Sequence, residues 1–310
     1  MKDNTILLVH SINSQWGKYI NDMGYHVFQV LREQNLLARG MRKADLLSNR
    51  DQFNIGWLEK WTQNINQYDT IILFAHPLYR KIVKYIRKQA PLARIIVWYM
   101  DPYESCPLRI DEEDGIEEFS FDILDCKKHG FNYKDTFYCF DKEKEFKNEV
   151  STQNNDVFYI GLDKGRYDYI NAIRKRLEYY GLNCDITIVK DRWTSVSFNE
   201  ILKRKRREYG TAISYDRVLH RIQNSKALLD INQLNQSGVS QRPLEALFYN
   251  KKLITNNRYI KKMDFYNKNN IYIIENESLY GIKDFMNLPY ISISNEVKEK
   301  YTFEGWVSQF

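Results

Sequence analysis

The sequence predicts an α/β protein made of two Rossmann-like domains facing a cleft. Three observations carry this reading. Short strands that are apolar throughout alternate with amphipathic helices, one polar and charged stretch interrupts the alternation near the middle, and the pattern restarts beyond it. Strands without a polar face belong to parallel sheets covered on both sides. A chain of 310 residues is also too long for one typical core and suits two.

In chain order, Thr5–Val9 is the first buried strand, followed by a polar loop, His10–Gln15, and helical periodicity from Trp16. Asp69–Ala75 is a strand of the same kind, then His76-Pro77 and a basic amphipathic helix over Leu78–Gln89. Ala93–Tyr99 follows, ending in Met100-Asp101-Pro102, and Phe119–Leu124 and Thr136–Phe140 read as shorter strands. Asp141–Asn155, nearly free of apolar periodicity, marks the boundary and predicts domains over 1–145 and 156–310. Beyond it Asp156–Ile160 reads as a strand and Gly161–Gly165 as a loop. Tyr167–Tyr180 reads as a helix stopped by Gly181, and Cys184–Val189 as a strand. Helices over Phe198–Arg207 and Tyr215–Gln223, strands over Ala227–Ile231, Lys252–Thr255 and Ile271–Ile274, and closing helices complete the second half.

Composition narrows the function classes. The chain is 43% hydrophobic and 28% charged, which describes a folded globular protein. No apolar run is long enough for a leader peptide or a bilayer span, so a cytoplasmic location is expected. Four scattered cysteines without a C-x-x-C pair predict neither disulfides nor a zinc site, and the histidines show no ligand spacing. There is no D-x-D clamp, so no metal is expected, and the acidic run Asp111–Asp114 reads as a solvated loop. The net charge of +6 is densest at Lys203–Arg207. A solvated helix face is the plainest reading of that run; docking on an anionic inner membrane leaflet comes next, and nucleic-acid binding last, since no nucleic-acid module is recognisable.

The most informative stretch runs from Ser237 to Asn257, a Gly/Ser loop, a short amphipathic helix and a buried strand. Ser240, Gln241, Arg242 and Glu245 gather at the helix start, where unpaired N–H groups favour an anion and Pro243 is tolerated in the first turn. An arginine can hold a phosphate bidentately, and a glutamate one turn on can accept from a ribose diol. An ordinary capped helix with solvated charges is the alternative. A second loop, Gly161-Leu162-Asp163-Lys164-Gly165-Arg166, follows a strand and precedes a helix, with Lys164 and Arg166 adding positive charge where glycines admit a phosphate. It is neither a dinucleotide nor a Walker fingerprint.

With these residues in view, the chain resembles bacterial GT-B glycosyltransferases of lipopolysaccharide and capsule biosynthesis. The resemblance rests on F-Y-I-G-L-D-K-G-R-Y (158–167), S-K-A-L-L-D-I (225–231) and G-V-S-Q-R-P-L-E-A-L-F-Y-N-K-K-L-I-T-N-N (238–257), with weaker matches at F-S-F-D-I-L-D and V-W-Y-M-D-P in the first half. It implies that Glu245 holds the donor ribose, that Lys164 and Arg166 neutralise the diphosphate, and that no metal or other cofactor is needed beyond the nucleotide-sugar co-substrate. It also implies that the closing Y-T-F-E-G-W segment, near 302–310, returns to the first domain. The acceptor it implies is a surface polysaccharide or lipid-linked glycan; no nucleic-acid partner is expected, since the sequence shows no recognisable nucleic-acid module.

An inverting member needs a general base in the first domain. Asp101 heads the candidates, as base or as a substrate-orienting group, followed by His10 and His76; each has a structural alternative, a turn cap for Asp101 and backbone hydrogen bonds for the histidines. A non-catalytic nucleotide- or glycan-binding protein that kept the two-domain shell is the alternative function.

Overall fold

The computed structural model of the chain describes residues 4–9, 15–50, 52–108, 110, 115–139, 155–191, 207–234 and 236–310. Two compact units emerge, Met1–Cys139 together with Trp306–Phe310, and Phe140–Gly305. Among the described residues each holds one sheet, of six strands in the first and five in the second.

The first unit contains β1 (Thr5–Val9), α1 (Gln15–Asp22), β2 (His26–Gln29), α2 (Leu36–Leu47), β3 (Thr70–Phe74), α3 (Arg80–Gln89), β4 (Arg94–Tyr99), β5 (Glu117–Ser120), α4 (Ile123–His129) and β6 (Asn132–Tyr133). Its strands lie in the order β2-β1-β3-β4-β5-β6, all parallel. Alternation along a strand splits the apolar runs between two covered faces. Ile6, Leu8, Ile71, Leu73, Ile95 and Val97 meet Ile82, Val83 and Ile86 of α3 in one core. On the other face Phe74 and Trp98 join Phe137 and Trp306, with ring centroids 4.7–6.4 Å apart. Trp306 is 1% exposed. Beside it Lys134 Nζ donates to Gln309 Oε1 at 2.9 Å and lies over the Phe310 ring.

Two expectations need correction here. The predicted strand Phe119–Leu124 ends at Ser120, because the Asp122 carboxylate accepts from the N–H groups of Leu124 and Asp125 and starts α4 at Ile123. The predicted strand Thr136–Phe140 is replaced at the sheet edge by β6, paired to β5 at Asn132 and Tyr133, while Phe137 turns into the aromatic cluster. Strand β2 had no apolar run to announce it: it is an edge strand with an exposed His26, entered through a turn at Gly24 with φ 83°.

The second unit contains β7 (Asn155–Leu162), α5 (Tyr167–Tyr179), β8 (Cys184–Val189), α6 (Tyr215–Gln223), β9 (Ser225–Asp230), α7 (Gln241–Phe248), β10 (Lys252–Thr255), β11 (Ile271–Ile273), α8 (Ile282–Asn287) and α9 (Asn295–Lys300). A last helix, α10, spans Phe303–Val307. The strand order is β11-β10-β9-β7-β8, again all parallel. The chain leaves β7 toward β8 and returns past β7 to β9, so the winding direction reverses between β7 and β9. Open α/β sheets bind ligands outside the carboxyl ends of strands at such a reversal. Residues 141–154 of the expected linker and 198–206 of the expected helix lie outside the described residues.

Candidate functional site

The site is built where β7 and β9 end side by side. Past β7 the chain makes a tight turn in which Arg166 N–H donates to Asp163 O at 2.8 Å, with positive φ at both central residues, Lys164 at 43° and Gly165 at 79°. The left-handed backbone explains Gly165. Asp163 is fully buried and fixes the turn from inside: Oδ1 accepts from Tyr167 N–H at 2.9 Å, and Oδ2 from Tyr209 Oη at 2.6 Å and Arg207 at 3.4 Å. Lys164 stands exposed at the tip.

Arg166 braces the two strand ends. Its guanidinium donates to the carbonyls of Leu162 at 2.6 Å and Asp163 at 3.2 Å, and to that of Ile231 just past β9. Carbonyl partners leave its formal charge in place. Gly161 permits a close approach, because a Cβ there would stand 2.7 Å from the Tyr159 hydroxyl. That hydroxyl belongs to a residue only 4% exposed and has no hydrogen-bond partner among the described residues. Arg166 and Arg242 are both close enough to act on it electrostatically. A buried hydroxyl with nothing to bond is costly and calls for an explanation.

Past β9 the geometry centres on Asp230, 4% exposed, a residue to which the sequence reading assigned no role. Its carboxylate accepts from Ser240 Oγ at 2.9 Å and Thr255 Oγ1 at 2.8 Å, joining the ends of β9 and β10 to the start of α7. Burial pushes its pKa up, against the pull of the two hydroxyls, Arg242 and Arg166. Ser240 also caps α7, accepting from Arg242 N–H at 3.3 Å. The incoming loop is pinned by asparagines: Asn257 Nδ2 donates to the carbonyls of Ser237 and Gly238, and Asn232 Nδ2 to those of Gln236 and Gly238.

One turn into α7, Arg242 Nη1 donates to Glu245 Oε2 at 2.5 Å and Nη2 to the Ile160 carbonyl at 2.9 Å, with its guanidinium over the Phe158 ring. The Glu245 carboxylate is 4% exposed, and its other oxygen accepts from Tyr215 Oη at 2.9 Å. Burial raises its pKa, with Arg242 and the Tyr215 hydroxyl pulling it back. The structure thus gathers Gly161, Gly165, Arg166, Ser240, Arg242 and Glu245 at one sheet edge, with Lys164 and the exposed Gln241 on its rim. It corrects the picture of Arg242 and Glu245 as solvated charges: they form a buried pair. Tyr159, Tyr215 and Asp230 are the additions. An aspartate closing the apolar string A-L-L-D was the one available signal, since strands of that kind rarely end on a charge without a partner.

The candidate bases belong to the first unit. His76 follows β3 and caps the turn Pro77–Tyr79, its Nδ1 accepting from Leu78 N–H at 3.2 Å. Asp101 stands exposed two residues past β4, and its charge adds to burial in raising the Cys106 thiol to about 11. His10 lies outside the described residues. So do Lys203–Arg206; Arg207 turns inward, its side chain 8% exposed and bonded to Asp168 at 2.7 Å, which removes it from the expected basic surface. Among the described residues no three His, Cys, Asp or Glu side chains come together as a metal ligand set, and no helix is long and apolar enough to cross a membrane.

No family model and no curated protein matches this chain. Solved structures do. An alpha-glucosyltransferase in complex with UDP and a 13-mer DNA containing a central A:G mismatch is 13% identical over 98% of this chain and 94% of its own, with a TM-score of 0.55. The fold is that of the GT-B glycosyltransferases. AviGT4, a glycosyltransferase involved in avilamycin A biosynthesis, is similar at 10% identity over 98% of this chain and 96% of its own, with a TM-score of 0.53. The switch point of the second sheet is also where its polar residues converge.

Proposed function

We propose that the protein transfers a sugar from a nucleoside-diphosphate sugar to a glycan or lipid-linked glycan acceptor in the cytoplasm, without a metal ion. The observation that carries this reading is the convergence at the carboxyl edge of β7 and β9. Two arginines, a capped helix start and an orphaned buried hydroxyl meet there, beside a buried pair of carboxylates. In this reading Arg166, Lys164, the N–H groups opening α7 and the Tyr159 hydroxyl face the diphosphate. Arg242 shares its donors between the phosphate and Glu245, whose remaining lone pairs accept from the ribose hydroxyls. UDP is the first nucleotide to try, since the alpha-glucosyltransferase of like fold is in complex with it.

The chemistry follows from that placement. The acceptor oxygen attacks the anomeric carbon, the bond from that carbon to the diphosphate breaks, and the nucleoside diphosphate leaves with the bonding electrons. Fixed positive groups at the leaving oxygen lower the barrier, because they meet charge as it develops. An inverting transfer assigns the acceptor proton to Asp101, while in a retaining one the departing diphosphate oxygen takes that proton without a protein base; the anomeric configuration of the product, read by NMR, separates the two.

A thermal-shift screen against UDP, GDP, CMP and dTDP, with and without magnesium, tests the reading. A nucleotide at a hundredfold excess over its dissociation constant stabilises the native state by about 2.7 kcal/mol. The expected result is a shift with one nucleotide, independent of magnesium, together with release of that nucleoside diphosphate from its sugar conjugate when acceptor is added. Binding without release supports the non-catalytic alternative, and release only with a nucleic-acid acceptor overturns the glycan assignment.

A further inference from the structure

Helix α2, Leu36–Leu47, presents its faces the wrong way round for a surface helix. At about 100° per residue, Leu36, Leu37, Gly40, Met41, Ala44 and Leu47 share one arc of the helix. All six are exposed, with Leu36 at 81%, Leu37 at 82%, Met41 at 65% and Leu47 at 57%. Two polar groups, Arg42 and Asp45, point the other way and hold the helix down. Arg42 donates to the Arg32 carbonyl at 2.7 Å, and Asp45, the helix's one acid, accepts from Asn54 N–H at 2.9 Å and Trp57 Nε1 at 2.8 Å. Only Leu46 of this helix is buried. An ordinary surface helix buries its apolar stripe and shows its charges.

The rim of the outward face is cationic. Arg39 and Lys43 stand exposed along one edge of the leucine arc. Lys81, through its bonds to the Asp45 carbonyl and the Ser48 hydroxyl, ties helix α3 alongside. That helix, R-K-I-V-K-Y-I-R-K-Q, has five basic residues and no acid. A nucleic-acid backbone would use the cations and leave the leucines in water. A lipid surface of negative charge takes both, the aliphatic side chains entering the acyl boundary and the cations meeting headgroup phosphates.

We infer that α2 is a membrane-docking helix that seats the first unit on an anionic bilayer surface without crossing it. The inference does not use the Lys203–Arg207 run and is independent of the nucleotide site. The test is co-sedimentation of the full chain with vesicles of phosphatidylglycerol and phosphatidylcholine, at low and high salt. Wild type is expected to pellet with phosphatidylglycerol vesicles and to bind less on pure phosphatidylcholine or in high salt. Leu36→Ser/Leu37→Ser/Met41→Ser is expected to lower the partition coefficient by roughly tenfold or more. Its melting temperature serves as the fold control. Should that variant unfold, Arg39→Glu/Lys43→Glu carries the test, with the same loss expected through charge. Wild type remaining in the supernatant would overturn the inference, as would a folded triple variant that pellets like wild type. So would a self-association that the variant abolishes without any vesicle binding, since the face would then belong to a second copy.

Discussion

Arg242 and Glu245, three residues apart on α7, form an ion pair that is nearly out of water, with side chains 14% and 5% exposed. Removing one partner of such a pair leaves a buried charge uncompensated, which costs about 3–5 kcal/mol, whereas replacing both with neutral groups is far milder. Arg242→Ala is therefore expected to lower unfolding free energy in urea by about that amount, and Arg242→Ala/Glu245→Gln to recover most of it. Tyr159 makes the opposite case. Its hydroxyl has no hydrogen-bond partner among the described residues, so Tyr159→Phe should leave stability unchanged or raised. If that hydroxyl donates to the bound nucleotide, the same substitution weakens binding by about 0.5–1.5 kcal/mol, the net worth of one hydrogen bond. Stability and affinity moving apart in one variant is the signature to look for. None of this was legible in Q-R-P-L-E alone: the residue types announced a polar helix start, but an arginine and a glutamate one turn apart read the same whether solvated or buried. The depth came from long-range neighbours, Ile160, Phe158 and Tyr215.

At the scale of elements, Asp230 ties two strand ends to a helix start, and its protonation is coupled to that assembly. Burial raises its pKa in the folded chain, so the folded state holds a proton over a pH range in which the unfolded state has released it. The contribution is complete below the ordinary carboxylate pKa and is lost as pH rises through the raised value. Asp230→Asn removes this term while keeping a side chain that can bond Ser240 and Thr255. Its melting temperature relative to wild type is expected to increase as pH rises above the ordinary carboxylate pKa of about 4, a trend that thermal melts across a pH series would read directly. The regular elements were mostly readable because buried parallel strands leave unbroken apolar runs, as in T-I-L-L-V and R-I-I-V-W-Y. Reading failed where a cap overrode the run, as Asp122 does after Ser120, and where an edge strand had no run, as at His26–Gln29. Gly305 adds a packing test, since a Cβ there would meet the Glu299 carbonyl oxygen at 1.9 Å. Gly305→Ala must displace backbone, an overpacking cost of about 1–3 kcal/mol that denaturant melts should detect.

At the scale of the molecule, the last residues of the chain complete the core of the first unit. Trp306 lies against Phe74, Trp98 and Phe137, and Arg94 donates to both Glu117 carboxylate oxygens and to the Phe310 carbonyl. A fully buried tryptophan of this kind costs about 3–5 kcal/mol when cut to alanine, so Trp306→Ala should sharply destabilise the first unit. The two-sheet architecture and the sheet edge that carries the polar residues were readable from the alternation of elements. The strand order that makes that edge a switch point was not, because pairing depends on contacts between distant strands. The account stands or falls on whether this edge holds a nucleoside diphosphate. Isothermal titration of UDP, and then of GDP and dTDP, into wild type and into folded Arg242→Ala/Glu245→Gln measures it. Saturable binding by wild type, weakened by about 1.5–3 kcal/mol or more in the variant as charge-assisted hydrogen bonds are lost, is the predicted result. Equal affinity in the two proteins, or no binding of any of the three nucleotides to wild type, would contradict it.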